Sequence, residues 1–203
     1  MYKYPIIVFE GIETSGKSTN LLKVSNFLKK IKRNFIKIRE PGGSMHSEII
    51  RKIILNKYKL NFKTDLLLLM AARSENYEKI LKKNNGKKII LIDRFIDSTK
   101  AYQHYGMGLN LNLINRLNSF ILGRFKPSFT ILSIVNKKNL KLRLSKRIKI
   151  NRYDKFNFSF YNKVQKGYIE LAKNKRKYLI IDSNKQSINE NSDIIINKVK
   201  KLI

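Results

Sequence analysis

Gly11, Gly16, Lys17 and Ser18 stand at the spacing G-x-x-x-x-G-K-[ST]. Glycines at those two points allow backbone conformations that a Cβ resists, so successive N–H groups can turn inward on one anion. Placed between a strand and a helix, such a loop is a phosphate cradle, and the helix N-terminus adds positive potential. Lys17 then reaches the outer phosphates of a nucleotide, and the Ser18 hydroxyl ligates Mg²⁺. Ile12, Glu13, Thr14, Ser15 and Thr19 belong to the same nucleotide-binding stretch. Asp93 supports this from elsewhere in the chain. It ends the apolar run Ile89 to Ile92, where proteins with such a cradle place the carboxylate that holds Mg²⁺ directly or through water. Standing alone, it also admits a less favoured reading as the cap of a turn.

The cradle requires a strand before it and a helix after it, and the patterning supplies both. Ile6 to Phe9 is a continuous apolar run suited to a strand buried on both faces. From Thr19 to about Lys32 the apolar residues recur at helical spacing. Further strands are expected at Phe35 to Ile38, Ile89 to Ile92, Phe129 to Val135 and Tyr178 to Ile181. Helices are expected at about 46–56, 64–83, 98–105, 111–125, 137–150, 158–173 and 188–202. Five short strands separated by helices imply an α/β fold of three layers around a central five-stranded parallel sheet. With no repeat or Gly/Ser linker, residues 1–203 read as a single domain.

Composition narrows the classes. No Cys is present, which excludes disulfides and thiolate metal sites. The apolar runs at 6–9 and 66–72 are too short for a signal-peptide core or a membrane span, so a cytoplasmic protein with no membrane partner is expected. Lys and Arg number 44 against 14 Asp and Glu, a formal net charge of +30. Basic pairs recur along the whole chain, including Lys29-Lys30, Lys87-Lys88 and the run Lys175-Arg176-Lys177, and no one segment owns them. That distribution fits a solvated basic surface, with nucleic acid attracted only through non-specific, salt-sensitive electrostatics.

The acceptor side is read from a series of short motifs: Phe9-Glu10-Gly11-Ile12-Glu13, Arg39-Glu40-Pro41-Gly42-Gly43, Ala71-Ala72-Arg73, Asp93-Arg94 and Ser98-Thr99-x-Ala101-Tyr102-Gln103. In that order, and nearly end to end, the chain resembles bacterial thymidylate kinases, nucleoside monophosphate kinase-like P-loop enzymes that phosphorylate dTMP with ATP. The resemblance implies that Arg94 holds the acceptor phosphate, with Arg39, Pro41 and Arg51 along the same pocket. It implies that Arg73 meets a thymine carbonyl, that Ser98, Thr99 and Gln103 follow the base edge, and that Glu13 lies near the sugar hydroxyl and the phosphate-binding arginine. Family members are generally homodimers. They also need an arginine near the transferring phosphoryl, from the cradle or from a closing lid. Ile12, Glu13, Thr14 and Ser15 provide none. The resemblance therefore points to a lid at about 141–154 with Arg147 and Arg152 as catalytic arginines and Arg143 on the nucleotide. Arg143 and Arg147, four apart, would share one helical face.

This chain departs from the family pattern at several positions. Leu69 stands where a Phe usually stacks on thymine, Met107 where an arginine is common, and His104 where a glycine is usual. Ile134 replaces an Asp and Asn151 an acidic residue. None removes a group that the transfer requires, so relaxed or lower activity is expected rather than its loss. Other readings remain open at this stage. One is a different nucleoside or nucleotide kinase, and another is a P-loop ATPase stimulated by nucleic acid.

Overall fold

Ile6 and Val8 face one side of strand β1 (Ile6–Glu10) and Ile7 and Phe9 the other, and all four are buried. A strand covered on both faces must lie inside a sheet flanked by helices. The computed structural model, which describes residues 3–56, 58, 60–148, 150–173 and 176–203, has that architecture. Lys149 of the expected lid and Lys175 of the last basic run lie outside the described residues. After β1 come α1 (Lys17–Lys30), β2 (Phe35–Arg39), α2 (Met45–Ile54), α3 (Phe62–Asn76) and, past a π-helical turn at Tyr77–Leu81, α4 (Lys82–Asn84). Then follow β3 (Ile89–Asp93), α5 (Ile96–Thr99) continued by a π-helical segment Lys100–Gly106, α6 (Leu111–Leu122) and β4 (Phe129–Ile134). The chain closes with α7 (Lys137–Ser145), a 3₁₀ turn Arg152–Lys155, α8 (Phe158–Ala172), β5 (Tyr178–Asp182) and α9 (Ile188–Lys200).

All pairings in the five-stranded sheet are parallel, in the order β2-β3-β1-β4-β5. Val24 and Leu28 of α1 with Ile195 and Val199 of α9 cover one face. Leu81, Phe95, Leu122 and Phe125 cover the other. A third apolar cluster joins Tyr102, Tyr153, Phe160, Tyr161, Val164 and Tyr168 to Leu132 and Leu140. It sets α8 against the segment that carries Gln103. Among the described residues, no helix is long and apolar enough to cross a membrane.

Two helices differ from expectation in ways that matter for the site. The stretch expected at 98–105 is mostly π-helical, from Lys100 to Gly106. One extra residue per turn re-aims side chains, and such segments commonly sit at functional sites. Helix α7 stops at Ser145 instead of reaching 150. Its leucines alternate at 140, 142 and 144, so only Leu140 is buried and Leu142 is exposed; no apolar face carries the helix further. Arg147 therefore does not share a helical face with Arg143. Its N–H closes the last turn on Leu144 O (3.0 Å), and its guanidinium pairs with Asp154.

Helix α8 approaches the π segment through Gly167. A Cβ there would meet the Tyr105 ring at 2.5 Å. Gly167→Ala should therefore destabilise the protein by about 1–3 kcal/mol through overpacking, measured by thermal or urea unfolding.

Candidate active site

Parallel register brings three strand ends together. Phe9 pairs with Asp93, and Arg39 pairs with Asp93 on the far side. The carboxyl ends of β2, β3 and β1 thus deliver Glu40, Asp93-Arg94 and Glu10-Gly11 side by side, where ligands of open α/β sheets bind. A cavity of about 360 Å³ opens there, lined by Glu13, Thr14, Lys17 and Ser18 on one side and Arg51, Leu69, Arg73 and Gln103 on the other.

The loop is shaped as its glycines require. Gly11 and Gly16 have φ of 138° and 96°. A Cβ on Gly11 would run into the backbone oxygen of Ser133 on the neighbouring strand. Lys17 is buried and donates to Ile12 O at 2.8 Å. Burial, and then the nearby Arg94, push its ammonium down to about 8. Ser18 Oγ lies 3.3 Å from Asp93 Oδ2, whereas Asp93 Oδ1 is buried without a partner. Thr14 Oγ1, Ser15 Oγ and Glu40 Oε1 are also buried and unpartnered. Among the described residues, four of the five such side-chain atoms belong to this one site; the other is Asn191 Oδ1. Buried polar atoms are normally satisfied, so a cluster of unsatisfied ones marks where a ligand's groups belong. Thr19, at the start of α1, is exposed.

Arg94 is the central knot. It has a positive φ of 66°, sparsely populated by side-chain-bearing residues and found where surrounding structure over-determines the backbone. Its Nη1 donates to Gly11 O (3.0 Å) and Tyr168 OH (3.3 Å), its Nη2 to Glu13 Oε1 (2.9 Å), and its guanidinium lies over the Tyr102 ring. Glu13 also accepts from Tyr102 OH at 2.5 Å. Burial alone would push the Glu13 carboxyl up, but Arg94 and Lys17 together hold it below the ordinary range. Glu10 locks the adjoining turn: its oxygens accept from Phe95 N (2.9 Å), Ser98 N (3.2 Å), Ser98 Oγ (2.5 Å) and Tyr168 OH (3.2 Å).

On the opposite wall, Arg73 is only 2% exposed. It donates to Glu40 (2.7 Å), Asn118 (2.6 Å) and Thr99 (3.1 Å), with its guanidinium over the Phe95 ring. Arg51 donates to Pro41 O at 2.6 Å, and Ser98, Thr99 and Pro41 line the cavity with it. Arg147 lines the cavity too. Three anticipated arginines are not among the lining. Arg39, with its side chain 54% exposed, pairs with Glu48 at 2.9 Å. Arg143 donates to Thr14 O, Ser183 Oγ and Ser183 O, each at 3.0 Å, and so ties α7 to the cradle and to the loop after β5. Arg152 turns inward onto Asp65, Ile54 O and Tyr153.

Asn151 has a structural duty: it caps the Arg152–Lys155 turn reciprocally with Asp154. His46 is exposed beside Glu75, and His104 bonds Leu109 O, so neither faces the cavity. Sequence reasoning missed Glu10, Glu40 and Asp65. The first two sit inside motifs already singled out, and a carboxylate flush with the end of an apolar strand was an available signal. Nothing local marked Tyr168, which reaches the site from α8.

Among the described residues, no group of three or more His, Asp or Glu could hold a metal by itself. Ser18 and the orphaned Asp93 oxygen are hard oxygen donors of the kind Mg²⁺ takes when phosphate and water complete its shell, and in that sense they fit it.

Residues 9–195 match the thymidylate kinase family. The chain is 39% identical to the thymidylate kinase of Kosmotoga olearia over 179 residues, covering 87% of this chain and 86% of that protein. It is 38% identical to that of the Wolbachia of Brugia malayi over 201 residues, covering 95% and 94%. The crystal structure of thymidylate kinase from Ehrlichia chaffeensis superposes with a TM-score of 0.79 at 31% identity, covering 97% of this chain and 98% of that one.

Burial lifts the Glu10 carboxyl from 4.5 to about 7, with Asp97 adding to the effect. Between these values the folded state keeps a proton that the unfolded chain has lost, so stability should fall as pH rises through that window. Glu10→Gln cannot titrate. Thermal unfolding across pH 4.5 to 7 should therefore show the variant gaining on the wild type as pH rises; a constant difference would contradict this assignment.

Proposed function

Because the chain belongs to the thymidylate kinase family, we propose how its own residues divide the work of that reaction. The protein is a phosphotransferase that moves the γ-phosphoryl of ATP to dTMP, giving dTDP and ADP. The observation that carries the assignment of roles is the single cavity shared by the cradle and by Arg51, Leu69, Arg73 and Gln103. One wall suits the donor phosphates and the other a nucleoside monophosphate.

On this reading, the cradle from Gly11 to Thr19 binds the phosphates of ATP. Lys17 leaves Ile12 O for the β- and γ-phosphate oxygens. Ser18 and Asp93 would hold Mg²⁺, which when bound would supply positive charge to offset that of the donor phosphates. Arg94 and Arg51 hold the dTMP phosphate, and Glu13 keeps Arg94 aimed while facing the sugar. Arg73, Thr99 and Gln103 read the base, Ser98 braces them through Glu10, and Leu69 covers a ring face by dispersion. The bond from the γ-phosphorus to the β,γ-bridging oxygen breaks as one forms to an oxygen of the dTMP phosphate. That acceptor is already an anion, so no general base is needed, and rate comes from alignment and charge neutralisation.

The segment 141–154 serves as the lid. Arg147, at the cavity rim with its side chain 38% exposed, is the arginine that meets the transferring phosphoryl. Arg152 can join it only by leaving Asp65. Arg143 braces the cradle from the nucleotide side, and Arg39 reaches the acceptor pocket only by leaving Glu48. The reading includes a cytoplasmic homodimer. Met45, Ile49 and Ile53 stand exposed at helical spacing on α2, with Leu67 on α3 and Leu113 and Phe120 on α6. Because α3 packs against both α2 and α6, these residues offer an apolar surface for a second copy. Any nucleic-acid attraction is a salt-dependent property of the net charge of +30.

ADP formation with dTMP, dUMP, dCMP and thymidine tests the acceptor. dTMP should be turned over best, with dUMP about 10–200-fold behind because the two differ by one methyl. Stimulation by dCMP but not by dTMP would refute the assignment. Arg147→Ala should lower kcat by about 10³-fold or more, with a smaller change in KM. For the dimer, Leu67→Lys should shift the sedimenting mass to that of one chain.

A further inference from the structure

Asp65 lies one turn before Leu69 and two turns before Arg73 on α3, so one helical face carries all three. Its exposure is 0%, and it is not among the residues that line the cavity. Both of its oxygens are nevertheless engaged. Oδ2 accepts from Gln103 Nε2 at 3.1 Å and from Tyr153 OH at 2.7 Å, while Oδ1 accepts from Arg152 Nη2.

A carboxylate paired with a guanidinium can only accept hydrogen bonds. The Gln103 amide must therefore turn its NH₂ toward Asp65, since the opposite orientation would set oxygen against oxygen. This removes the usual ambiguity of an amide's orientation. Gln103 Oε1, to which no described residue donates, is left as the free acceptor of a side chain in the cavity wall. A pyrimidine with an N3–H satisfies such an acceptor. Cytosine, with a lone pair at N3, opposes it. We propose that Asp65 is a positioning residue that sets the polarity of the Gln103 amide and thereby selects thymine and uracil over cytosine. The inference rests on the reading of this cavity as the dTMP site. The same carboxylate anchors the Arg152–Lys155 turn, so base reading and lid position share one group.

The test is the ratio of kcat/KM for dTMP to that for dCMP in folded variants. Asp65→Asn keeps shape and lets its own NH₂ face Gln103, which frees the amide to flip. The ratio should fall about tenfold, the worth of roughly one hydrogen bond. Asp65→Glu keeps the acceptor and should restore the wild-type ratio. Tyr153→Phe removes one donor to Asp65 and the long 3.5 Å contact of Gln103 Nε2 with the Tyr153 hydroxyl, but keeps the Asp65–Gln103 bond and the ion pair, so it should lower stability and leave the ratio unmoved. Gln103→Met should reproduce the ratio of Asp65→Asn, and the double variant should be no worse, since coupled residues are not additive. An unchanged ratio in folded Asp65→Asn, or an equal fall in Tyr153→Phe, overturns the proposal. Should Asp65→Asn fail to fold, Gln103→Met decides, and an unchanged ratio there overturns it. Loss of dTMP preference in the wild type would instead overturn the reading of the site itself, and this proposal with it.

Discussion

A guanidinium taken out of water must have its donors met, and Arg94 meets that demand by linking four parts of the chain. It bonds the cradle at Gly11 and Glu13, reaches Tyr168 on α8, and lies over Tyr102 on the π-helical segment, while its backbone follows β3. Moving the cradle would leave this largely buried charge without its Glu13 partner, which costs several kcal/mol. Its strained φ is tolerated because Glu10 and the strand ends hold the flanking peptides. The cradle and the opposite wall of the cavity are thus tied together by one side chain.

Two further buried ion pairs repeat this arrangement around α3. Arg73 with Glu40 ties α3 to the loop after β2, and Arg152 with Asp65 ties the Arg152–Lys155 turn to α3. Buried pairs are poor sources of net stability, because desolvation offsets most of the Coulomb gain. Their effect here is geometric: each fixes the position of side chains in or beside the cavity wall. The chain has only 14 acidic residues, and among the described ones the four that are buried, Glu10, Glu13, Glu40 and Asp65, all stand at this site. The 44 basic residues are scattered by comparison. The scarce charge, more than the abundant one, locates the chemistry.

Much of this is legible in the amino-acid sequence. The strand–loop–helix order around Gly11 to Ser18, the carboxylate ending the third strand, and the five apolar strands all follow from local patterning, because backbone preferences and burial act over a few residues. Contacts between distant segments had no such signal. Nothing in the spacing of Arg143 and Arg147 reveals that α7 ends at Ser145, since that depends on what Leu142 finds to pack against. Arg152 reads as a free lid arginine until Asp65, far away in sequence, is seen to hold it.

The order of residues alone was enough for the class of chemistry, since a phosphate cradle is made of backbone and needs only glycines, a lysine and a hydroxyl at set intervals. It also determined the layered sheet, through the continuity of its apolar runs. Only the tertiary structure decided which arginines face the cavity and which are held away from it. A guanidinium goes to whichever carboxylate the fold brings within reach, and that depends on register and helix length rather than on neighbours in the chain. The amide of Gln103 is the sharpest case, because its NH₂ is turned toward a carboxylate on another helix.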